Sequence, residues 1–215
     1  MDGSTAKSLS IANPSESNLA SAVLDQDLRI LFLTAANSGA GTTTSALALA
    51  SQLAKMSSGQ VLLVDASQSS TNLTQQIGLT KELGFRDLVF NEHNPPLLQD
   101  CVLNVSSLPF HVLPFGRISR GTAHLTPERL SPLLEQLASQ YRFVVIDGDA
   151  VYSAADTLVF SAQVDGVVMV VRSEDTRREV AQAAVQRLTQ AGAKLVGSVF
   201  NRRKYYMPKW LYKNL

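Results

Sequence analysis

Ile30-Leu31-Phe32-Leu33-Thr34-Ala35-Ala36-Asn37-Ser38-Gly39-Ala40-Gly41-Thr42-Thr43-Thr44 is the stretch on which the fold turns. Ile30–Thr34 is an apolar run of strand length, and it delivers the chain into a loop with two glycines. Ser45–Lys55 (SALALASQLAK) follows, with the Ala and Leu content of a buried helix. Glycine lets a backbone curl until its N–H groups converge, and a helix start adds the positive end of its dipole. Strand, Gly loop and helix in that order form a cradle for phosphate.

Measured against the phosphate-loop consensus G-x-x-x-x-G-K-[ST], the match is incomplete. Gly41 holds the second glycine and Thr43 the hydroxyl that would ligate Mg²⁺, but Ala36 replaces the first glycine and Thr42 replaces the lysine. That lysine neutralises phosphate charge and stabilises phosphoryl transfer, and losing one such donor typically costs on the order of 10²–10³ in rate. The backbone N–H groups of Ser38, Gly39, Ala40, Gly41, Thr42, Thr43 and Thr44 would survive as a weak nucleotide cradle. Two strand-ending acids strengthen the reading, Asp65 after Val61–Val64 and Asp147 after Phe143–Ile146. Beside a phosphate loop, such carboxylates hold Mg²⁺ through water or activate a nucleophile. Thr43, Asp65 and Asp147 are therefore the candidate Mg²⁺ group, and Asp65 and Asp147 the catalytic candidates if the site is active. A strand-ending Asp that merely caps the next turn is the simpler alternative.

Outward from the loop the pattern alternates. Further strands are expected at Val61–Val64, His111–Pro114, Phe143–Ile146, Gly166–Val171 and Leu195–Phe200. Helices are expected at Phe85–Phe90, Thr126–Gln140, Ala154–Ala162 and Thr176–Ala191, with 91–109 irregular. The strands are continuous Val/Ile/Leu runs, so both faces are buried. This gives a doubly wound α/β fold, a mostly parallel central sheet with helices on both faces. Residues 1–28 read as a flexible or loosely packed lead-in with at most a weak short helix over Leu19–Leu24, 29–201 as the α/β domain, and 202–215 as a basic, Tyr-rich tail.

The chain has 215 residues, 45% of them hydrophobic and 17% charged, with a net charge of +1. That suits one folded domain and gives no global field to recruit nucleic acid. The single cysteine, Cys101, rules out a disulfide framework, and His93, His111 and His124 lack metal-ligand spacing. No apolar run approaches the roughly 20 residues of a membrane span. The polar first residues carry no signal-like apolar segment, so the expected location is the cytoplasm.

With these motifs in place, the sequence resembles the cytoplasmic ATPase domain of the bacterial tyrosine kinases (BY-kinases) of capsule and exopolysaccharide systems, relatives of the MinD/ParA group. The resemblance runs from about Arg29 onward and is strongest over Tyr141–Leu215. There Thr176-Arg177 matches the start of a family helix, and Asn201 matches a strand-final Asn that touches the adenine base in relatives. A turn-forming Asn is the alternative for Asn201. The departures are coordinated. The family's P-G-E-G-K-[ST]-T, D-x-D-x-R and D-T-P-P motifs become Ser38–Thr44, Asp65–Ser69 and Asp147–Ala150. Small neutral residues stand at Ala40, Thr42, Ser67 and Ser69, where the family is charged. A Glu/Arg ring-forming helix is not recognisable around 16–29.

The resemblance implies a pseudo-kinase or pseudo-ATPase, binding ATP/ADP and Mg²⁺ weakly or not at all. It would be recruited to the inner membrane by a polysaccharide co-polymerase (chain-length) protein that it regulates or docks on. Two alternatives stay open. One is a residual tyrosine autokinase or ATPase, with Arg117, Arg120 or Arg202 as a substitute cation. The other is a MinD-like membrane-surface switch using the tail. Tyr205, Tyr206 and Tyr212 are phosphoacceptor candidates by the same resemblance, among five Lys/Arg that lie between 202 and 213 with no acid. An interfacial segment and a tail packed on its own domain or a partner are the other readings of those residues, and homo-oligomerisation is open.

Overall fold

Unbroken apolar runs become strands only where both faces are covered, and this chain meets that condition with two cores. The computed structural model describes residues 14–91, 93–117, 124–173 and 175–201. In chain order the elements are α1 (Pro14–Asp25), β1 (Ile30–Ala35), α2 (Thr42–Met56), β2 (Val61–Asp65), α3 (Leu73–Gln76), α4 (Phe85–Phe90), α5 (Leu98–Cys101) and β3 (Leu103–Asn104). They continue as β4 (His111–Leu113), α6 (Pro127–Gln140), β5 (Phe143–Asp147), α7 (Asp156–Gln163), β6 (Gly166–Arg172), α8 (Arg178–Gln190) and β7 (Leu195–Asn201). The sheet runs β3-β4-β2-β5-β1-β6-β7, parallel except for β3.

Every residue of β1, β2 and β5 is buried, as their lack of alternation requires. Phe32 stacks on Phe160 of α7 with centroids 5.1 Å apart, within the core that α6, α7 and α8 share with the sheet. On the other face α1 and α2 close a second core around Leu31, Leu33, Leu49, Leu53 and Val145. The chain leaves β1 to one side and β5 to the other, because β1→β2 and β5→β6 each cross over the other strand. Open α/β sheets bind ligands at such a reversal, beyond the carboxyl ends of the strands.

Three expectations change. Residues 14–25 of the expected loose lead-in are a helix, with Leu19, Ala20 and Val23 buried against α2 and β7, so the domain begins before residue 29. The expected irregular stretch 91–109 contains α5 and the antiparallel pair Leu103↔Val112. The helix after β1 begins at Thr42 rather than Ser45, which puts all three threonines in its first turn. His111 donates to or accepts from the Tyr141 hydroxyl at 3.3 Å and is structural. Cys101 is fully buried, and that burial pushes its thiol up to about 11, leaving it inert.

Because α1 is part of the core, Leu19→Ala should lower stability by about 2–3 kcal/mol in urea denaturation, the usual cost of emptying a buried leucine site. A change within error would show that α1 is detached from the domain.

Candidate functional site

The loop after β1 takes its shape from two glycines. Gly39 and Gly41 have φ of 79° and 95°, a left-handed region that other residues enter at a cost. Ala36 has no positive φ, so the missing first glycine costs this backbone nothing. Gly41 is the N-cap of α2, and its carbonyl accepts from Ser45 N–H at 3.0 Å. The N–H groups of Thr42, Thr43 and Thr44 begin the helix without intrahelical partners.

Asn201 closes one side of this loop. Its Nδ2 donates to the Ala40 carbonyl at 3.0 Å, and a Cβ on Gly41 would collide with the same amide. The last residue of β7 thus straps the phosphate loop from 161 positions away. The sequence offered base contact or turn formation for Asn201; in the structure its amide straps the phosphate loop.

Asp65 and Asp147 end adjacent strands and are register partners across β2 and β5. Both are completely buried, but their surroundings differ. Asp65 Oδ2 accepts from Thr74 N–H at 2.7 Å and Thr74 Oγ at 2.6 Å, and Oδ1 accepts from Ser67 N–H at 3.2 Å. Thr74 Oγ also accepts from Phe115 N–H at 2.7 Å, so Asp65 anchors a network joining β2, α3 and the exit of β4. Burial nevertheless pushes its carboxyl up to about 6. Asp147 has neither oxygen hydrogen-bonded. Burial, and then the charge of Asp65, raise it well above the ordinary carboxylate value; the Thr43 hydroxyl pulls the other way without reaching hydrogen-bonding geometry.

Asp149 was not among the sequence candidates, though it stands two residues beyond Asp147. Its Oδ1 accepts from Ser67 Oγ at 2.7 Å and its Oδ2 from Gln68 N–H at 2.8 Å, which stitches the loop after β2 to the loop after β5. Gly148 between them is required: a Cβ there would strike the Phe32 ring. No local pattern marks Ser67 or Thr74 as partners of these acids, since the contacts span 82 and 9 positions.

Together these elements enclose a polar cleft of about 240 Å³ lined by the phosphate loop, Ser67, Ser69, Thr71 and Asp149. Ser38 shares a 2.9 Å hydrogen bond with Ser153 at its rim. Among the described lining residues there is no Lys or Arg. Arg117 turns elsewhere, its Nε donating to the Lys81 carbonyl and its N–H to Asp87. Arg120, Arg202, Tyr205, Tyr206 and Tyr212 lie outside the described residues. The bare oxygens of Asp147 facing the Thr43 hydroxyl fit the oxygen chemistry of Mg²⁺. Among the described residues there is no preformed cluster of three acidic, His or Cys side chains, so such a metal would depend on ligand phosphates as well.

Sheet order, loop geometry and paired strand-ending acids define a P-loop α/β protein. The chain belongs to the cellulose biosynthesis protein BcsQ family, whose model matches residues 28–195. It is also similar to the tyrosine-protein kinase YwqD of Bacillus subtilis, 25% identical over 188 residues that cover 87% of this chain and 78% of that one. The VpsO kinase domain superposes with a TM-score of 0.75 at 27% identity, over 88% of this chain and 94% of that domain. MinD of Aquifex aeolicus shares the fold at a TM-score of 0.67 and 19% identity, over 86% of this chain and 72% of that one. The likeness to BY-kinases expected from the motifs holds, and with MinD the chain shares the fold.

A carboxyl raised in the fold but ordinary in the unfolded chain favours folding in acid, and that contribution is lost as pH climbs from near 3.8 through the raised values. Asp147→Asn, which mimics the neutral form, should raise Tm near pH 7 by on the order of 5 °C and flatten the pH dependence. The two proteins should converge near pH 4. Equal Tm values across the whole range would show that the Asp147 carboxyl is not raised in the fold.

Proposed function

We propose that this protein is a pseudo-kinase of the BY-kinase type, a regulatory or docking partner in exopolysaccharide biosynthesis and export, with cellulose as the polymer its family name suggests. The observation that carries the reading is a phosphate cradle with intact backbone geometry and no Lys or Arg among its described lining residues. Thr42 stands at the first position of α2, where a lysine would reach into the cleft, and offers only a short neutral hydroxyl. Positioning survives while the charge that stabilises phosphoryl transfer is gone, and catalysis of that reaction is almost entirely those two effects.

In this reading Mg-ATP or Mg-ADP is held weakly, through loop N–H groups and a metal at Thr43 and Asp147. Mg²⁺ would supply the positive charge that the loop lacks. Asp65 is a scaffold for that site, since its oxygens are taken by Thr74 and Ser67. The partner is an inner-membrane polysaccharide co-polymerase. No helix among the described residues is long and apolar enough to cross a membrane, so membrane association would come through that partner or through residues 202–215.

One observation favours residual kinase activity as a second reading. A raised, unpaired carboxyl at Asp147 beside a phosphate loop is equipped to accept a hydroxyl proton. Absence of any phosphotyrosine signal when the purified wild type is incubated with Mg-ATP would remove this reading. The MinD-like switch rests on residues 202–215, outside the described residues.

Restoring the cation tests the leading reading directly. Calorimetry with Mg-ATP should give millimolar or weaker binding to the wild type, and Thr42→Lys should tighten it at least about tenfold, near 1.4 kcal/mol. Removing Mg²⁺ should abolish binding to the wild type. Affinity unchanged by Thr42→Lys would mean the loop is not a phosphate site.

A further inference from the structure

Asp149 brings a charge into the cleft and is fixed there from three directions. Its Oδ1 accepts from Ser67 Oγ at 2.7 Å and its Oδ2 from Gln68 N–H at 2.8 Å. Gln68 is anchored in turn, its Nε2 donating to Asp156 Oδ2 at 2.9 Å. The Asp149 carbonyl accepts from Thr34 Oγ1 of β1 at 2.6 Å, so the backbone is held as well. A carboxylate tied in this way cannot swing aside from an approaching anion without breaking these bonds. Among the described residues that line the cleft, it is the only charged one.

The field of this carboxylate reaches the strand-ending acids. Burial raises the carboxyls of Asp65 and Asp147 first, and the charge of Asp149 adds to the rise at both. A ligand seated beside Asp147 therefore also feels Asp149. In a phosphate loop the backbone N–H groups cradle the inner phosphates, and the metal at the helix-start hydroxyl bridges the inner and terminal ones. With that metal at Thr43 and Asp147, the third phosphate of a triphosphate would extend toward the residues after β5, where Asp149 stands. A diphosphate ends before it.

We propose that Asp149 makes this cleft selective for nucleoside diphosphates over nucleoside triphosphates. The proposal rests on the reading of the cleft as a weak Mg-nucleotide site and adds which nucleotide it holds. A triphosphate carries one more negative charge than a diphosphate and delivers it next to a fixed carboxylate. Like charges about 6 Å apart change affinity by roughly tenfold even after water and salt screen the pair. A role for Asp149 as a metal ligand would reverse the preference, because the metal travels with the longer phosphate chain. The hydrogen bonds argue against that role. Both Asp149 oxygens already accept a fixed donor, whereas neither Asp147 oxygen does, so a metal finds its carboxylate at Asp147. Positioning and selectivity thus meet in one side chain, which joins the loops after β2 and β5 and sets the length of phosphate chain they accept.

Calorimetry on the full chain near pH 7 tests this with Mg-ADP and Mg-ATP in parallel. Mg-ADP should bind the wild type at least about fivefold more tightly than Mg-ATP. Asp149→Asn should bring the two within about twofold, chiefly by tightening Mg-ATP. Should that variant not fold, salt decides on the wild type. Raising potassium chloride from about 0.05 to 0.5 M should narrow the preference for ADP, since screening relieves repulsion. Equal affinities, tighter Mg-ATP, a ratio unchanged in folded Asp149→Asn, or a preference that widens with salt would each overturn the selectivity while leaving the nucleotide site standing. No binding of either nucleotide at millimolar concentration would overturn the site and the selectivity together.

Discussion

Two fully buried carboxylates facing one another across β2 and β5 set the terms for everything around the cleft. A buried acid is tolerated when its oxygens are hydrogen-bonded, and Asp65 meets that requirement through Thr74 and Ser67. Its partner Asp147 does not. The difference divides the pair into a scaffold residue and a residue held ready for something else. Asp147 lies between well-packed neighbours, with Phe32 stacked on Phe160 beside Gly148 and the Thr43 hydroxyl of the first turn of α2 near its carboxyl. Strain or unsatisfied polarity kept at one point of an otherwise well-satisfied cleft is a common sign of a binding position.

Much of the architecture was legible because the strands of this sheet are buried on both faces, which writes them as unbroken Val/Ile/Leu runs. Helices α4 and α6 were readable from length and start signals, although the expected Thr126 side chain makes no capping bond to the helix backbone. Elements showed only faintly, as a weak helix at Leu19–Leu24, or not at all where their apolar content was small. Helix α1 buries Leu19, Ala20 and Val23 within a Ser- and Asn-rich segment, and β3 is two residues long. The phosphate loop and both strand-ending acids were found by motif, since their spacing is local. Asp149, Thr74 and the strap from Asn201 were not, because each acts through a fold-dependent contact that leaves no periodic trace.

The neutral lining around the cleft has a physical logic. Ser67 Oγ donates to Asp149 at 2.7 Å, while Ser67 N–H donates to Asp65. An aspartate at position 67 would bring its carboxylate against Asp149 and close to Asp65, a like-charge cluster in a poorly solvated place. Asp149 and a second acid at 67 are thus mutually exclusive unless a cation stands between them. With Thr42 in place of lysine, no described lining residue can supply one. Removing the cation and removing the neighbouring acid are one change in electrostatic terms. The result is a set of loops whose hydrogen bonds close among themselves at Asp65 and Asp149, while the buried Asp147 has neither oxygen hydrogen-bonded. A cleft organised this way holds its own loops together through hydrogen bonds at Asp65 and Asp149.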